Sequence, residues 1–187
     1  PVQALEALGS ASLLDAPTGE YQLTPQANYQ VGGVASSTRI DLRADARFRF
    51  EMNFGNQDEA GADGGGFALH NAGPNALGEA GGGLGLRGLT NALAVEFDTW
   101  QNDPGEPALD HTVIYAPGNA GFGTGVNGAV TLGNIEDGAW HAIEIRWNAA
   151  TQTLTTSFDG IARDSRTADL ISAVFGGSIF VHLLVTA

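Results

Sequence analysis

The chain has 187 residues, 43% of them hydrophobic and 16% charged, and 27 are glycine. Its 21 acidic and 8 basic residues leave a net charge of −13, which opposes binding to nucleic acid and to anionic membrane surfaces. The lack of cysteine excludes disulfides and thiol catalysis, and no apolar run approaches the ~18 residues of a membrane-spanning helix.

Taken in chain order, the pattern is mostly of period two. Leu5–Leu8 is too short to assign as a helix. Ile40–Leu42 reads as a short strand. Over Arg47–Phe54, Phe48, Phe50, Met52 and Phe54 alternate with Arg47, Arg49, Glu51 and Asn53, as in a half-buried antiparallel strand. Strands are predicted near Phe67–His70, Gly83–Leu86, Leu93–Thr99 and Thr112–Tyr115. In Trp140–Trp147, His141, Ile143, Ile145 and Trp147 share one face, which makes His141 a satisfied core histidine. Asn148–Thr151 is a turn into Thr153–Phe158, and Asp159-Gly160 is a hairpin signal into Ile161–Arg163. Asp169–Phe175 has room for one or two helical turns, with Thr167 as cap and Gly176-Gly177 as stop. A strand at Ile179–Val185 ends the series. His70 and His182 fall on strands and receive no role.

Many short strands separated by glycine-rich turns imply an all-β sandwich. No repeat or linker interrupts it, so residues 1–187 form a single domain. The start at Pro1, without methionine, reads as a processed or excised segment. Two glycine-rich segments, Gly61–Phe67 and Gly78–Gly88, need a purpose. GGGLGL has glycines at phosphate-loop spacing, yet no Lys-Ser/Thr pair and no following helix support nucleotide binding.

The densest chemistry lies in AVEFDTWQNDPGEPALDH, Ala94–His111. A buried strand opens it, followed by a loop, and Glu96, Asp98, Asn102, Asp103, Glu106, Asp110 and His111 fall within it. Hard divalent cations such as Ca2+ take six to eight oxygens from carboxylates, amides, carbonyls and water. A histidine beside carboxylates suits a second, transition-metal position.

Four pieces in this order resemble the L-type (legume-like) lectins, particularly members found within bacterial adhesins. They are ADGGGF (Ala62–Phe67), GGGLGL (Gly81–Leu86), AVEFDTWQN with its downstream DH, and DGAWHAIEIRWNAATQTLTTSFDG (Asp137–Gly160). The resemblance covers about Leu23 to Val185. It implies a concanavalin-like jelly-roll β-sandwich of two antiparallel sheets, with metal and sugar held together in loops at one end. It also implies roles for individual residues. Asp98, the Trp100 carbonyl and Asn102 match calcium ligands. The family's bridging aspartate has Glu106 in its place, and Asp110 stands directly before His111, so either carboxylate can bridge. Glu96 and His111 match the second divalent, Mn2+-like position of plant members. Asp63 matches the sugar-binding aspartate, preceded by a cis Ala-Asp peptide, and Gly82 matches a glycine whose N–H donates to the sugar. Asn102 would both ligate calcium and donate to the sugar, and Trp100 is either a stacking ring or a packed loop anchor.

These implications define a calcium-dependent, non-catalytic glycan-binding module of an extracellular or cell-surface protein, with cell-surface glycans or polysaccharide as partners. Two other functions fit parts of the sequence. One is a calcium-stiffened spacer in a long adhesin. The other is a glycoside hydrolase using Glu96 and Asp98, but the acid position of that motif holds Gln101, whose amide cannot protonate a leaving oxygen. The family also continues beyond the Val181–Val185 strand with a specificity loop and a last strand. With neither here, either the chain is trimmed or a neighbouring segment completes the sheet, and an edge left unpaired there would be an aggregation risk.

Overall fold

The structure is a computed structural model in which residues 4–58, 60–102, 104–119 and 128–187 are described. It contains β1 (Leu5–Gly9), β2 (Ser12–Asp15), β3 (Glu20–Gln22), β4 (Gly32–Ser36), β5 (Ile40–Asp41), β6 (Ala46–Met52) and β7 (Gly64–His70). These are followed by β8 (Ala92–Asp98), β9 (His111–Tyr115), β10 (Val130–Thr131), β11 (His141–Asn148), β12 (Thr153–Phe158), β13 (Ile161–Thr167), α1 (Leu170–Ala173) and β14 (Phe180–Thr186). A large sheet runs β1-β4-β14-β7-β8-β9-β10, with β5 also on β14. A smaller sheet runs β13-β12-β11-β6, and β2 pairs with β3 as a separate hairpin. The pairings are antiparallel, so the sandwich predicted from the alternating pattern is present.

The smaller sheet shows why alternation was so clear. β11 buries His141, Ile143, Ile145 and Trp147 and exposes the residues between them. Those side chains join Phe67, Leu93, Val95 and Phe97 of the large sheet in the core between the sheets. Trp147 is fully buried, and its indole N–H donates to the Leu42 carbonyl at 2.9 Å. Truncating such a ring costs about 3–5 kcal/mol. His141 is satisfied as expected: Nδ1 lies 2.8 Å from Asp159 and Nε2 3.2 Å from the Ile135 carbonyl.

The central strands of the large sheet are buried on both faces. Every residue of β8 is buried. Its odd-numbered side chains enter the main core, while Ala92 and Ala94 meet a second apolar cluster built with Leu84, Leu86 and Leu89. The glycine-rich segment before β8 thus serves as a cover for the sheet. This corrects the predicted strand at Gly83–Leu86, where Gly81–Gly83 is a single 3-10 turn. The chain recoils there, with Gly78 N–H donating to Gly85 O at 2.7 Å and Glu79 N–H to Arg87 O at 2.8 Å. Gly85 takes φ +68°, a left-handed conformation open to glycine and costly for a branched side chain.

Other differences are local. Leu5–Gly9 is a strand against β4, and the helix near residue 170 is capped by Asp169, not Thr167. β14 is not an unpaired edge: β4 flanks it on one side and β7 on the other. β4 was invisible to the alternation test because all five of its residues are buried.

Candidate functional site

The site forms where β8 ends. Residues two apart on a strand share a face, so Glu96 and Asp98 point the same way as Ala94, under the glycine-rich cover. The register places His111 of β9 directly opposite Asp98. All three are buried, and one ligand atom from each lies within 4.8 Å of the others. Among the described residues this is the cluster of acid and imidazole groups suited to hold a metal ion.

The electrostatics fit a cation. Burial pushes Glu96 up to about 9, helped by the nearby Asp98 and Glu106 carboxylates. Burial also raises Asp98 to about 7, against the bond from Trp100 N–H. Two buried carboxylates therefore crowd each other, and a divalent ion would reverse both shifts. His111 is held below its ordinary value by burial. Its Nδ1 lies 3.2 Å from the Leu109 carbonyl, which assigns the proton to Nδ1. Nε2 is then a lone pair, buried and without a hydrogen-bond partner among the described residues. It faces Glu96 Oε1 at 3.9 Å, too far for a direct bond and close enough for one cation to touch both. The residues present thus fit the ion that the lectin resemblance implies.

Above this cluster lies a second convergence. Asn102 Nδ2 donates to Asp63 Oδ1 at 3.1 Å, and Asp63 O accepts from Thr99 N–H at 3.0 Å. The Ala62–Asp63 peptide is cis, as expected. Gly82 packs so closely that a Cβ there would sit 2.6 Å from Asn102 Cγ and Oδ1, which explains why this position carries no side chain. Asp63, Gly82 and Asn102 come from three separate segments and meet at one surface. Trp100 stands beside them, 43% exposed, and its N–H donates to Asp98 Oδ1 at 2.8 Å.

The two candidate bridging carboxylates differ in their backbone partners. Glu106 Oε2 accepts from Asn102 N–H at 2.8 Å, and Asp110 Oδ2 accepts from Ile135 N–H at 2.7 Å, anchoring the segment before β11. The charges of both act on Asp98 and His111, and that of Glu106 also on Glu96. Asp103 lies outside the described residues. Gln101 is exposed and donates to the Glu106 carbonyl at 2.7 Å.

Sequence reasoning missed Tyr115, which is buried on the face of His111 and diagonal to Glu96 across the β8–β9 pair. Its place on that face follows from period two, but its nearness to Glu96 had no sequence signal.

Comparison with known proteins bears on the family and the fold. The chain is 30% identical over 173 residues to the pesticidal crystal protein Cry22Aa of Bacillus thuringiensis, covering 82% of this chain and 24% of that protein. It is 38% identical over 106 residues to the serine-rich adhesin for platelets of Staphylococcus aureus, covering 54% of this chain and 4% of the adhesin. The chain therefore spans a quarter or less of these relatives. The fold matches lectin II from Ulex europaeus with a TM-score of 0.78 at 21% identity, over 98% of this chain and 83% of that one. The family model for the legume lectin β-barrel domain matches residues 2–187. With fold and family model in agreement over the whole chain, the protein belongs to the legume-type, or L-type, lectin family.

Proposed function

We propose that this domain binds glycans in a calcium-dependent manner, without catalysis, as the recognition module of a secreted or cell-surface adhesin. The observation that carries this reading is the meeting of Asp63, Gly82 and Asn102 directly above the buried Glu96–Asp98–His111 cluster. Asp98, the Trp100 carbonyl, Asn102 and Glu106 would hold Ca2+. Glu106 is preferred to Asp110 because it is bonded to the backbone of Asn102, itself a proposed ligand. Glu96, Asp98 and His111 would hold a second divalent ion of the Mn2+ type. When bound, these ions would supply positive charge that fixes the loop and the acids beneath it.

The protein groups recognise the sugar. Asp63 accepts from adjacent hydroxyls through charge-assisted bonds. Gly82 offers a backbone N–H at a point where no side chain intervenes, and Asn102 donates from its amide. The exposed Trp100 ring gives an apolar surface for a sugar C–H face. Hydrolysis is disfavoured because Gln101 occupies the acid position and Glu96 lies buried among ligands instead of opening to a cleft. The similarity to the S. aureus adhesin supports a surface role, where repeated display compensates for weak single sites.

The test is a glycan array probed with the purified domain in calcium and again in EDTA. The expected result is binding that disappears in EDTA. Binding that survives chelation would overturn the calcium dependence. An empty array from folded protein in calcium would favour the spacer function.

A further inference from the structure

Among the described residues, five other than glycine take a left-handed backbone: Tyr29, Leu84, Asn91, Gln152 and Asp159. Four of them have a local reason. Leu84 is buried in the second core. Asn91 is of a type that visits this region readily. Gln152 Oε1 accepts from Ile171 N–H at 2.8 Å, and Asp159 Oδ1 accepts from Ala142 N–H at 2.8 Å. Tyr29 has no such return. It holds φ +61° while its side chain is left in solvent, 96% exposed. That conformation is costly for a bulky residue, and such outliers gather at ligand sites.

A bracket holds the residue in place. Ser10 Oγ donates to Gln30 Oε1 at 2.7 Å and Ser10 N–H to Val31 O at 2.9 Å, while Gln30 Nε2 donates to Asn28 O at 3.2 Å. The bracket stands at the site end of the large sheet. Gly33 of β4 lies level with Thr186 of β14, and Thr186 lies level with Gly66 of β7. Tyr29 comes four residues before Gly33, and Asp63 three before Gly66. Both therefore overhang the same end, on lines two strand spacings, or about 10 Å, apart. Val31 also meets the glycine-rich cover that carries Gly82, since a Cβ on Gly85 would come 3.3 Å from Val31 Cγ2. Trp100 follows β8, on the other flank of Asp63 in the strand order β4-β14-β7-β8.

We infer that Tyr29 is the platform for a further sugar ring, so that this domain recognises an oligosaccharide of two or more units and not a single sugar. This rests on the glycan-binding reading proposed above and deepens it. Asp63, Gly82 and Asn102 grip one ring through directional bonds. A ring about 10 Å along the sheet end is out of reach of that sugar and within reach of the next units of a chain. The phenol face takes the apolar C–H side of a pyranose, and its hydroxyl remains free to bond a sugar hydroxyl. With the residues on either side already tied, little backbone freedom is lost when the ring is covered.

The experiment arrays homologous series of one to four sugars, ended by mannose, galactose, fucose or sialic acid, and probes them in calcium with wild type, Tyr29→Ala and Tyr29→Phe. The free sugars of the strongest series are then titrated by calorimetry, which removes any effect of surface display. Wild type should bind the longer members more tightly than the terminal sugar alone. Tyr29→Ala should lose roughly 10-fold on the longer members, with affinity for the terminal sugar and for calcium unchanged. Tyr29→Phe should keep most of the gain, because the ring is retained. Equal binding by Tyr29→Ala and wild type at every length overturns the inference, as does a wild type that gains nothing with length. A loss that is the same for the terminal sugar and the longer members marks a merely structural loop and also overturns it. Each of these outcomes leaves the glycan-binding reading standing. Folded wild type that binds no member of any series in calcium overturns both.

Discussion

The large sheet buries histidines on one face at both of its ends. At the site end, His111 faces Glu96 and Asp98. At the far end, His70 on β7 and His182 on β14 face each other, paired in register with ring centroids 5.8 Å apart. The ends of β7 are about 20 Å apart at a rise of about 3.3 Å per residue. Each end leaves buried imidazole nitrogen without a partner among the described residues. The difference lies in the neighbours. His111 sits with acids whose crowding a cation would relieve, whereas burial and the neighbouring His182 hold His70 down to about 4, keeping it neutral at ordinary pH. Buried histidine is thus a poor marker of function by itself, and the presence of carboxylates on the same face distinguishes the two ends.

The largest effect expected is at the site end. Asp98→Ala should lose calcium and glycan binding together, read by calorimetry and by the array, while His70→Leu leaves both intact. If Asp98→Ala retained calcium, the ligand assignment would be wrong. Asp63→Ala should come next, abolishing glycan binding with calcium affinity within about twofold. Stability should change by no more than about 0.5 kcal/mol, as for an ordinary surface position. Full glycan binding by that variant would remove Asp63 from the site.

The ends should also respond to pH with opposite signs. His70 is lowered from 6.5 to about 4, so its stabilising contribution is present above pH 6.5 and is lost as the pH falls through 4. That contribution is on the order of 3 kcal/mol. Glu96 is raised from 4.5 to about 9 and Asp98 from 3.8 to about 7 in the cation-free protein. Their contribution is present below pH 4 and is lost as the pH rises toward 9. Because both acids lose their contribution across the window in which His70 gains, thermal midpoints of metal-free protein should fall as the pH rises from about 4 to about 9, and calcium should relieve the part due to Asp98. Parallel curves with and without calcium would contradict the cluster's role. The smallest effect is the reciprocal one: His70→Leu should steepen the fall between about pH 4 and 6.5 and leave the calcium response unchanged.

How much of this was readable in the sequence depended on whether a partner was local. Glu96, Asp98, Asn102, Glu106 and His111 lie within sixteen positions, so their convergence could be read as one run. The smaller sheet was legible because one of its faces meets solvent and β11 alternates. The doubly covered sheet gave continuous apolar or glycine-rich runs with no period, which hid β4 and misassigned Gly83–Leu86. Asp63 and Gly82 had no signal of their own linking them to Asn102, and only the family resemblance joined them. Which backbone each of Glu106 and Asp110 meets depends on the path of the loop, which brings one to Asn102 and the other to Ile135.

The glycine-rich cover has a consequence for anyone wishing to redesign specificity. Gly82 meets the ligand-side residues, yet Leu84 and Leu86, two and four positions later, fill the second core, and Leu84 O accepts from the Thr186 hydroxyl at 2.6 Å. Recognition and packing are interleaved within a single turn of chain. A library confined to the exposed Glu79 and Ala80 would vary the surface beside Gly82 on an intact scaffold. A swap of the entire segment would have to import the leucines and a matching last strand with it.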